Sequence, residues 1–373
     1  VKPAARESHA ERRAGVVCLD RSGSLSFAPG NPGEDRSMAR RIDAVAVLGA
    51  GTMGSGIAAL CAQGGCRVLL LDVTREAADR ALVRMTTGRA PLLDDPASAA
   101  RIATGSFETD LARISDYDWI CEAVIEDLAT KRTLFAQIEP LRRAGSVVSS
   151  NTSGIPLRAI TDGLPERLRQ DIAVTHFFNP VKAMKLVELV PGAATTPDVL
   201  QTFATFLADR LGKGVVHAKD TVNFIGNRIG CFWMLAGLHK AESALAEGLT
   251  MEEIDALMAR PFGIPSTGLF GLIDLIGLDV MDLVGKNLAA NLPPGDPGHA
   301  YARLPEAEQA MLERGQLGRK SGGGFYRLLP REDGSRAKET FDLVTGSWRP
   351  SRTVELDPRH QDAASLIFGA DQT

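Results

Sequence analysis

The segment HFFNPVKAMKLVELV, residues 176 to 190, sets a histidine and a glutamate twelve residues apart in an otherwise apolar stretch. In IAVTHFF, strand alternation puts Ile172, Val174 and His176 on one face, with His176 at the carboxyl end of its strand. A lone histidine in such a run is more often a satisfied core residue than a catalyst. Glu188 shifts the balance, because a carboxylate inside MKLVELV is costly to bury unless it is paired. A histidine is its natural partner: the carboxylate fixes the imidazole tautomer, favours the protonated ring and so strengthens it as a base. Such a base suits removal of a hydroxyl proton while hydride leaves the same carbon. Lys185 or a distant arginine stands as the alternative partner for Glu188.

Two further polar features could serve the same chemistry. SSNTSG, residues 149 to 154, ends a strand with hydroxyls and an amide suited to grip a carbonyl or hydroxyl oxygen; Ser153 could equally cap a helix beginning at IPLRAI. Asn227 lies in the first turns of a long helix, either facing a cleft or simply exposed.

Upstream, VAVLGAGTMGSGIAALCAQGG holds Gly49, Gly51 and Gly54 in G-x-G-x-x-G spacing, with Ala50, Thr52 and Met53 between them. The motif follows a strand, opens a helix, and precedes a second strand ending at Asp72, 18 residues after Gly54. That context predicts a dinucleotide site. The first glycine makes the turn, the second admits the pyrophosphate, the third packs the helix, and the helix N-terminus receives the phosphates. Asp72 would accept from ribose hydroxyls and repel the extra phosphate of NADP, which points to NAD.

The elements that must position these residues follow from periodicity. The runs at 43–49, 67–72, 119–125, 146–151 and 172–178 are apolar, β-branched and separated by helical stretches, as in a largely parallel sheet buried on both faces. MKLVELV and GVVHAK close the sheet, separated by a helix opening at Thr196-Pro197. Beyond Asp220 the pattern turns helical: a long apolar helix over 223–248, then helices at 250–260, 268–290 and 303–315. The fold class is therefore α/β: a Rossmann-type, doubly wound, mostly parallel sheet over 42–220, followed by an all-helical C-terminal domain over 221–330. Residues 1–41 read as a disordered tail and 331–373 as a weakly folded tail or linker.

Composition narrows the partners. The 373 residues carry a net charge of -4 with both signs interspersed, which gives no footprint for nucleic acid or an anionic membrane surface. Cys18, Cys61, Cys66, Cys121 and Cys231 form no C-x-x-C pair and sit mostly in apolar runs, as buried thiols of a reducing, cytoplasmic setting do. No metal site is expected. No apolar run approaches the roughly 18 residues of a membrane span, and the N-terminus lacks a signal-peptide core.

GAGTMGSGIA, Asp72, EAVIED, SSNTS, HFFNPVKAMKLVELV, KDTVNFIGNRIG and GRKSGGGFYR together resemble the L-3-hydroxyacyl-CoA dehydrogenases of β-oxidation, over about residues 42 to 327. The resemblance implies NAD-dependent oxidation of (S)-3-hydroxyacyl-CoA to 3-oxoacyl-CoA by a homodimer with its active site in a cleft. By it, His176 is the base and Glu188 its partner. Ser153 and Asn227 hold the substrate's oxygens, and Ser153 also touches the cofactor. Glu126, Lys131, Asn179 and Lys320 are further cofactor contacts, with Lys131 near the CoA as well. The segments FGIPSTGLFGLIDLIGLDVM and GRKSGGGFYRL look most like the dehydrogenase part of fused chains that also carry an enoyl-CoA hydratase domain. This chain is too short to include one, so the tail resembles a linker whose continuation is absent or whose partner is a separate polypeptide.

The sequence departs from the family at three places, one of them the helix after the second strand, which lacks the lysine-rich CoA-binding pattern of the short mitochondrial enzymes. Asp220-Thr221-Val222-Asn223-Phe224 stands for the usual D-T-P-G-F, losing a rigid turn and a permissive backbone position, which would alter the hinge and acyl pocket. Thr267-Gly268-Leu269-Phe270 stands for M-G-P-F. The competing readings are a non-catalytic NAD-binding protein on the same fold and a dehydrogenase of a free hydroxy acid.

Overall fold

The computed structural model describes residues 39–87, 91–259 and 266–356, together with two short strands at 16–19 and 25–28. Its contacts divide it into two units at Gly226/Asn227, where the sequence reading put the boundary at 220/221.

The first unit is built on one sheet. Its strands are β1 (Val16–Leu19), β2 (Leu25–Ala28), β3 (Ala44–Leu48), β4 (Arg67–Asp72), β5 (Ile102–Ser106), β6 (Trp119–Glu122), β7 (Val147–Ser150), β8 (Ile172–Phe177), β9 (Leu186–Pro191) and β10 (Gly214–His217). Their order is β2-β1-β10-β9-β8-β7-β6-β3-β4-β5. Neighbours run parallel except β1 with β2 and β8 with β9. Strand β3 lies between β4 and β6, so the chain reverses its direction of winding there, and the carboxyl ends of the flanking strands leave a crevice.

Alternation explains why both faces are covered. Val45, Val47, Val68 and Leu70 join one core with Ile57 and Cys61 of helix Thr52–Gln63 and with Phe203 of helix Pro197–Thr205. Ala46, Leu48, Leu69 and Leu71 join the other with Leu134, Phe135 and Ile138 of helix Leu128–Ile138. Strands apolar on both faces are what a doubly wound sheet requires. Ile172 and Val174 share the second core, as their alternation predicts. Helix Pro197–Thr205 starts after Thr196 as expected, although the Thr196 hydroxyl donates to Gln170 O rather than capping the helix. Cys61, Cys66, Cys121 and Cys231 are buried and free, with burial pushing the Cys121 thiol up to about 12.

Three expectations need correction. The reading of 1–41 as a disordered tail fails at VVCL and LSFA, which form β1 and β2. Strand β1 pairs with β10, whose free edge offers backbone groups that need partners. The rest of that segment up to residue 38 lies outside the described residues. Strand β5, IATGS, escaped the pattern because it is a short, partly polar strand at the sheet's other edge. The third concerns the second unit.

That unit is helical from Asn227 to Glu313, in helices Gly226–Ala246, Met251–Leu257, Gly268–Ile276, Leu278–Asn291 and Glu306–Glu313. The stretch expected as one helix over 268–290 is broken at Gly277, whose φ of 106° no helix accommodates. Residues assigned to an all-helical domain and a weakly folded tail instead form an antiparallel sheet of β11 (Tyr326–Pro330), β12 (Arg336–Asp342) and β13 (Ser347–Pro350). Residues 357–373 lie outside the described residues. Among the described residues, no helix is long and apolar enough to cross a membrane.

Polar strands stay folded here because one buried carboxylate ties them down. Glu252, on helix Met251–Leu257, accepts from Arg349 Nη1 and Nη2, Thr340 Oγ1 and the Arg352 backbone NH, all at 2.7 to 2.9 Å. Burial works to raise its pKa, but the Arg349 guanidinium and the other donors hold it at about 2. A depressed carboxylate stabilises the fold above its ordinary pKa, and that contribution is lost as pH falls through the range from 4.5 to about 2. Glu252→Gln should therefore destabilise the second unit by about 2 kcal/mol in urea unfolding of the full chain. It should also flatten acid sensitivity between those pH values; an unchanged acid transition would remove Glu252 from this role.

Candidate active site

His176 and Glu188 lie directly opposite each other in the antiparallel β8–β9 pair, so their side chains share a face. His176 Nδ1 is 2.7 Å from Glu188 Oε2, and the residues are 2% and 1% exposed. The backbone NH groups of Ile225 and Gly226 donate to Glu188 Oε1, each at 2.8 Å. The histidine, not Lys185 or an arginine, is therefore the carboxylate's side-chain partner. With Nδ1–H donating to a carboxylate, the neutral ring keeps its lone pair on Nε2. Phe178 and Phe224 flank the imidazole, with ring centroids at 4.5 and 5.6 Å.

The segment that reaches Glu188 turns sharply. Asn223 and Phe224 take φ of 58° and 50°, the left-handed region. Asparagine is among the few residues other than glycine that adopt it readily. The expected loss of a permissive position at Val222-Asn223 is thus corrected: Asn223 supplies the conformation that a glycine would.

A second constellation forms where β6 and β7 end. Glu126 Oε1 accepts from Thr152 Oγ1 at 2.6 Å, Ser153 NH at 2.8 Å and Gly154 NH at 3.0 Å. Burial works to raise the Glu126 pKa, but Lys131 and these three donors together hold it below the ordinary carboxylate value. Lys131 Nζ lies 2.7 Å from Glu122 Oε1 and 3.2 Å from Glu126 Oε2, and the residue is 1% exposed. Ser150 Oγ donates to the other Glu122 oxygen at 2.5 Å. This places Lys131 inside the protein, bracing two carboxylates, rather than on a surface that would face CoA. Ser153 itself is exposed and does not cap a helix. Helix Leu157–Thr161 begins after Pro156, and its first NH groups donate to the Asp220 carboxylate instead.

The glycine turn follows β3. Gly49 has φ of 109°, and a Cβ there would meet the Ala123 carbonyl oxygen at 2.5 Å. A Cβ at Gly54 would collide with the Gly49 carbonyl, whereas none would touch anything within 4 Å at Gly51. Two glycines thus allow close packing and the third leaves open space for a ligand. Helix Thr52–Gln63 starts with Thr52 and Met53, with neither a side-chain cap nor an acid in its first turn, which leaves its NH groups to an anion. Asp72 ends β4 and accepts from the Ala50 NH at 2.6 Å. A cavity of about 630 Å³ opens beside Gly49, Gly51 and Asp72 and is walled by Val73, Ile125 and Leu134.

Because β3, β4, β6, β7 and β8 run parallel, the glycine turn, Asp72, the 150–154 loop and His176 all come to one edge of the sheet. Asn179 is exposed two residues beyond β8. Asn227 opens the second unit, half-buried, one residue after Gly226. Lys320 also belongs to the second unit, where its Nζ pairs with Asp279 at 2.5 Å. Sequence reasoning missed Glu122 and Asn151. Glu122 is a fully buried acid, but as the last residue of its strand it carries a weaker signal than Glu188, which lies inside one. Asn151 Oδ1 accepts the Phe177 NH at 3.0 Å and fixes the end of β8 next to His176; the amide at the strand end was visible, its target was not.

Comparison with known proteins agrees with this arrangement. The model of the 3-hydroxyacyl-CoA dehydrogenase NAD binding domain matches residues 44–221, and that of the 3-hydroxyacyl-CoA dehydrogenase C-terminal domain matches residues 224–328. A putative fatty acid oxidation complex trifunctional enzyme of Rickettsia prowazekii is 35% identical over 86% of this chain, which spans 45% of that relative. The chain thus spans less than half the length of the first curated relatives it matches. A probable 3-hydroxyacyl-CoA dehydrogenase of Deinococcus radiodurans is 35% identical over 78% of this chain and 84% of its own length. Among solved structures, FadB2 of M. tuberculosis is similar at a TM-score of 0.66 and 30% identity, over 77% of this chain and 99% of that one. The (S)-3-hydroxybutyryl-CoA dehydrogenase PaaH1 of Ralstonia eutropha is similar at 0.63 and 31%, over 76% and 98%. Both domain models matched in sequence order, on a sheet that carries a paired histidine and carboxylate, place the chain in the 3-hydroxyacyl-CoA dehydrogenase family.

Proposed function

We propose that the protein oxidises (S)-3-hydroxyacyl-CoA to 3-oxoacyl-CoA with NAD, as part of fatty acid β-oxidation or related acyl-CoA metabolism. The observation that carries this reading is the 2.7 Å contact between His176 Nδ1 and Glu188 Oε2. It leaves the Nε2 lone pair free to take the 3-hydroxyl proton. Glu188 stabilises the imidazolium that forms, and the Ile225 and Gly226 NH groups keep the carboxylate from rotating away. Ser153, on a loop whose NH groups are anchored by Glu126, and Asn227 are the residues assigned to the substrate's oxygens. Gly49 to Gly54 and Asp72 fit NAD, because the turn leaves room at Gly51 and the Asp72 carboxylate, held in place by the Ala50 and Val73 NH groups, has lone pairs left to accept from a ribose hydroxyl. Glu126, Asn179 and Lys320 are assigned as further contacts, with Lys131 acting through Glu126. NAD, when bound, supplies the hydride acceptor.

A homodimer formed through the second unit is supported by its exposed apolar side chains. Ile229, Phe232 and Leu249, exposed to 65%, 36% and 37%, rim a shallow cavity floored by Trp233 and Leu257. A cytoplasmic setting is the reading that four buried, free cysteines support. An enoyl-CoA hydratase partner, fused or separate, fits relatives named as trifunctional enzymes.

Three experiments test these readings. The full chain should form NADH from (S)-3-hydroxybutyryl-CoA or longer homologues, and His176→Gln should lower kcat by about 10²-fold or more. An unchanged kcat would remove His176 as the base; no turnover at any chain length despite NAD binding would sink the enzyme reading. Asp72→Ser should weaken NAD about tenfold and narrow its preference over NADP, measured by comparing KM for the two cofactors. In sedimentation equilibrium the chain should behave as a dimer, and Ile229→Glu with Leu249→Glu should yield monomers; a monomeric wild type refutes the proposed interface.

A further inference from the structure

A cavity of about 680 Å³ in the second unit plays no part in the chemistry above. It lies between the β11–β12 strands and the start of helix Gly268–Ile276, and its lining includes Arg319, Arg327, Arg336 and Lys338. The register explains part of this concentration. Arg336 and Lys338 are two residues apart on β12, hence on one face, opposite Pro330 and Leu328 of β11. Lys338 Nζ sits 3.7 Å above the Tyr326 ring, and Arg327 is steadied by Glu339, with its Nε 2.7 Å from Oε2.

Three of these four cations are not held in an ion pair: among the described residues no carboxylate lies within ion-pair distance of Arg319, Arg336 or Lys338. Asp274 is the one acid among the described lining residues, and its two oxygens already accept the Phe325 and Tyr326 NH groups at 2.8 Å each. A second observation points the same way. Thr267, one of the lining residues, has a hydroxyl shielded from solvent and without a hydrogen-bond partner among the described residues. An orphaned hydroxyl beside convergent guanidinium and ammonium groups suits a multiply charged oxyanion, to which arginine donates in paired fashion. The volume is that of a small-molecule site, and Leu328 and the Tyr326 side chain add an apolar flank for a ring. Arg336 and Lys338 lie past residue 328, where the match to the family's C-terminal domain ends.

We propose that this cavity binds a nucleoside phosphate, recognised through its phosphates by Arg319, Arg336, Lys338 and the Thr267 hydroxyl. The site is built wholly from the second unit and takes no residue from the dinucleotide turn.

Calorimetry on the full chain, with the first unit's site saturated by NAD, tests it with ADP, inorganic pyrophosphate and adenosine as probes. ADP should bind saturably and more weakly as ionic strength rises. Pyrophosphate should compete with it, and adenosine should not. Arg336→Glu with Lys338→Glu changes two exposed residues and should weaken ADP by about tenfold or more, while NAD affinity and thermal stability stay as in wild type. Thr267→Val should weaken ADP by a smaller factor of about three to ten. The absence of saturable ADP binding, competition by adenosine but not by pyrophosphate, or equal ADP affinity in the double variant would each overturn the assignment.

Discussion

Glu188 carries a negative charge into a strand where it is 1% exposed, and such a charge persists only if donors surround it. Three do: the His176 ring and two successive backbone NH groups at the start of helix Gly226–Ala246. One carboxylate thereby sets the tautomer of the base, pins strand β9 to its neighbour, and holds the segment through which the chain leaves the first unit. The left-handed turn at Asn223 and Phe224 is what brings those NH groups round, and the same turn lays Phe224 beside the imidazole. Removing any one of these partners would leave a buried charge undersatisfied, so the arrangement is mutually enforcing.

The same physics recurs two strands from β8. Glu122, Lys131 and Glu126 form a line of alternating charge running from the end of β6 to the backbone of the 150–154 loop. A buried ion pair adds little net stability by itself, but it is unforgiving of geometry. Here that intolerance fixes the loop that presents Ser153. The two networks meet through Ser150 and Asn151, one donating to Glu122 and the other accepting from Phe177 beside the base.

The second unit uses a carboxylate for a different end. Glu252 gathers Arg349, Thr340 and Arg352 from a segment with almost no apolar pattern and so keeps three polar strands attached to a helix. On the other face of that small sheet, Arg327 stacks on Trp348 at 4.2 Å and Phe341 packs edge-on against the same ring. The result is a folded platform with a cationic face, where periodicity alone had suggested a tail.

The sequence by itself determined the features that depend on neighbours in the chain. Alternation in IAVTHFF placed His176 with Ile172 and Val174, the glycine spacing marked a turn between a strand and a helix, and the continuous apolar runs required a sheet covered on both faces. It also made Glu188 conspicuous, because an acid in an apolar strand demands a partner. It did not show that Glu122 made the same demand, since that acid sits at a strand end where solvent is the default expectation. Tertiary structure alone decided which donors met each buried charge: the Ile225 and Gly226 NH groups lie 37 and 38 residues from Glu188, and Arg349 lies 97 from Glu252. Only the tertiary structure decided that Lys131 turns inward, that Asn223 keeps a left-handed turn without glycine, and that residues 336–342 and 347–350 are strands. Each of these is set by electrostatic satisfaction across long sequence separations, which leaves no period in the chain to read.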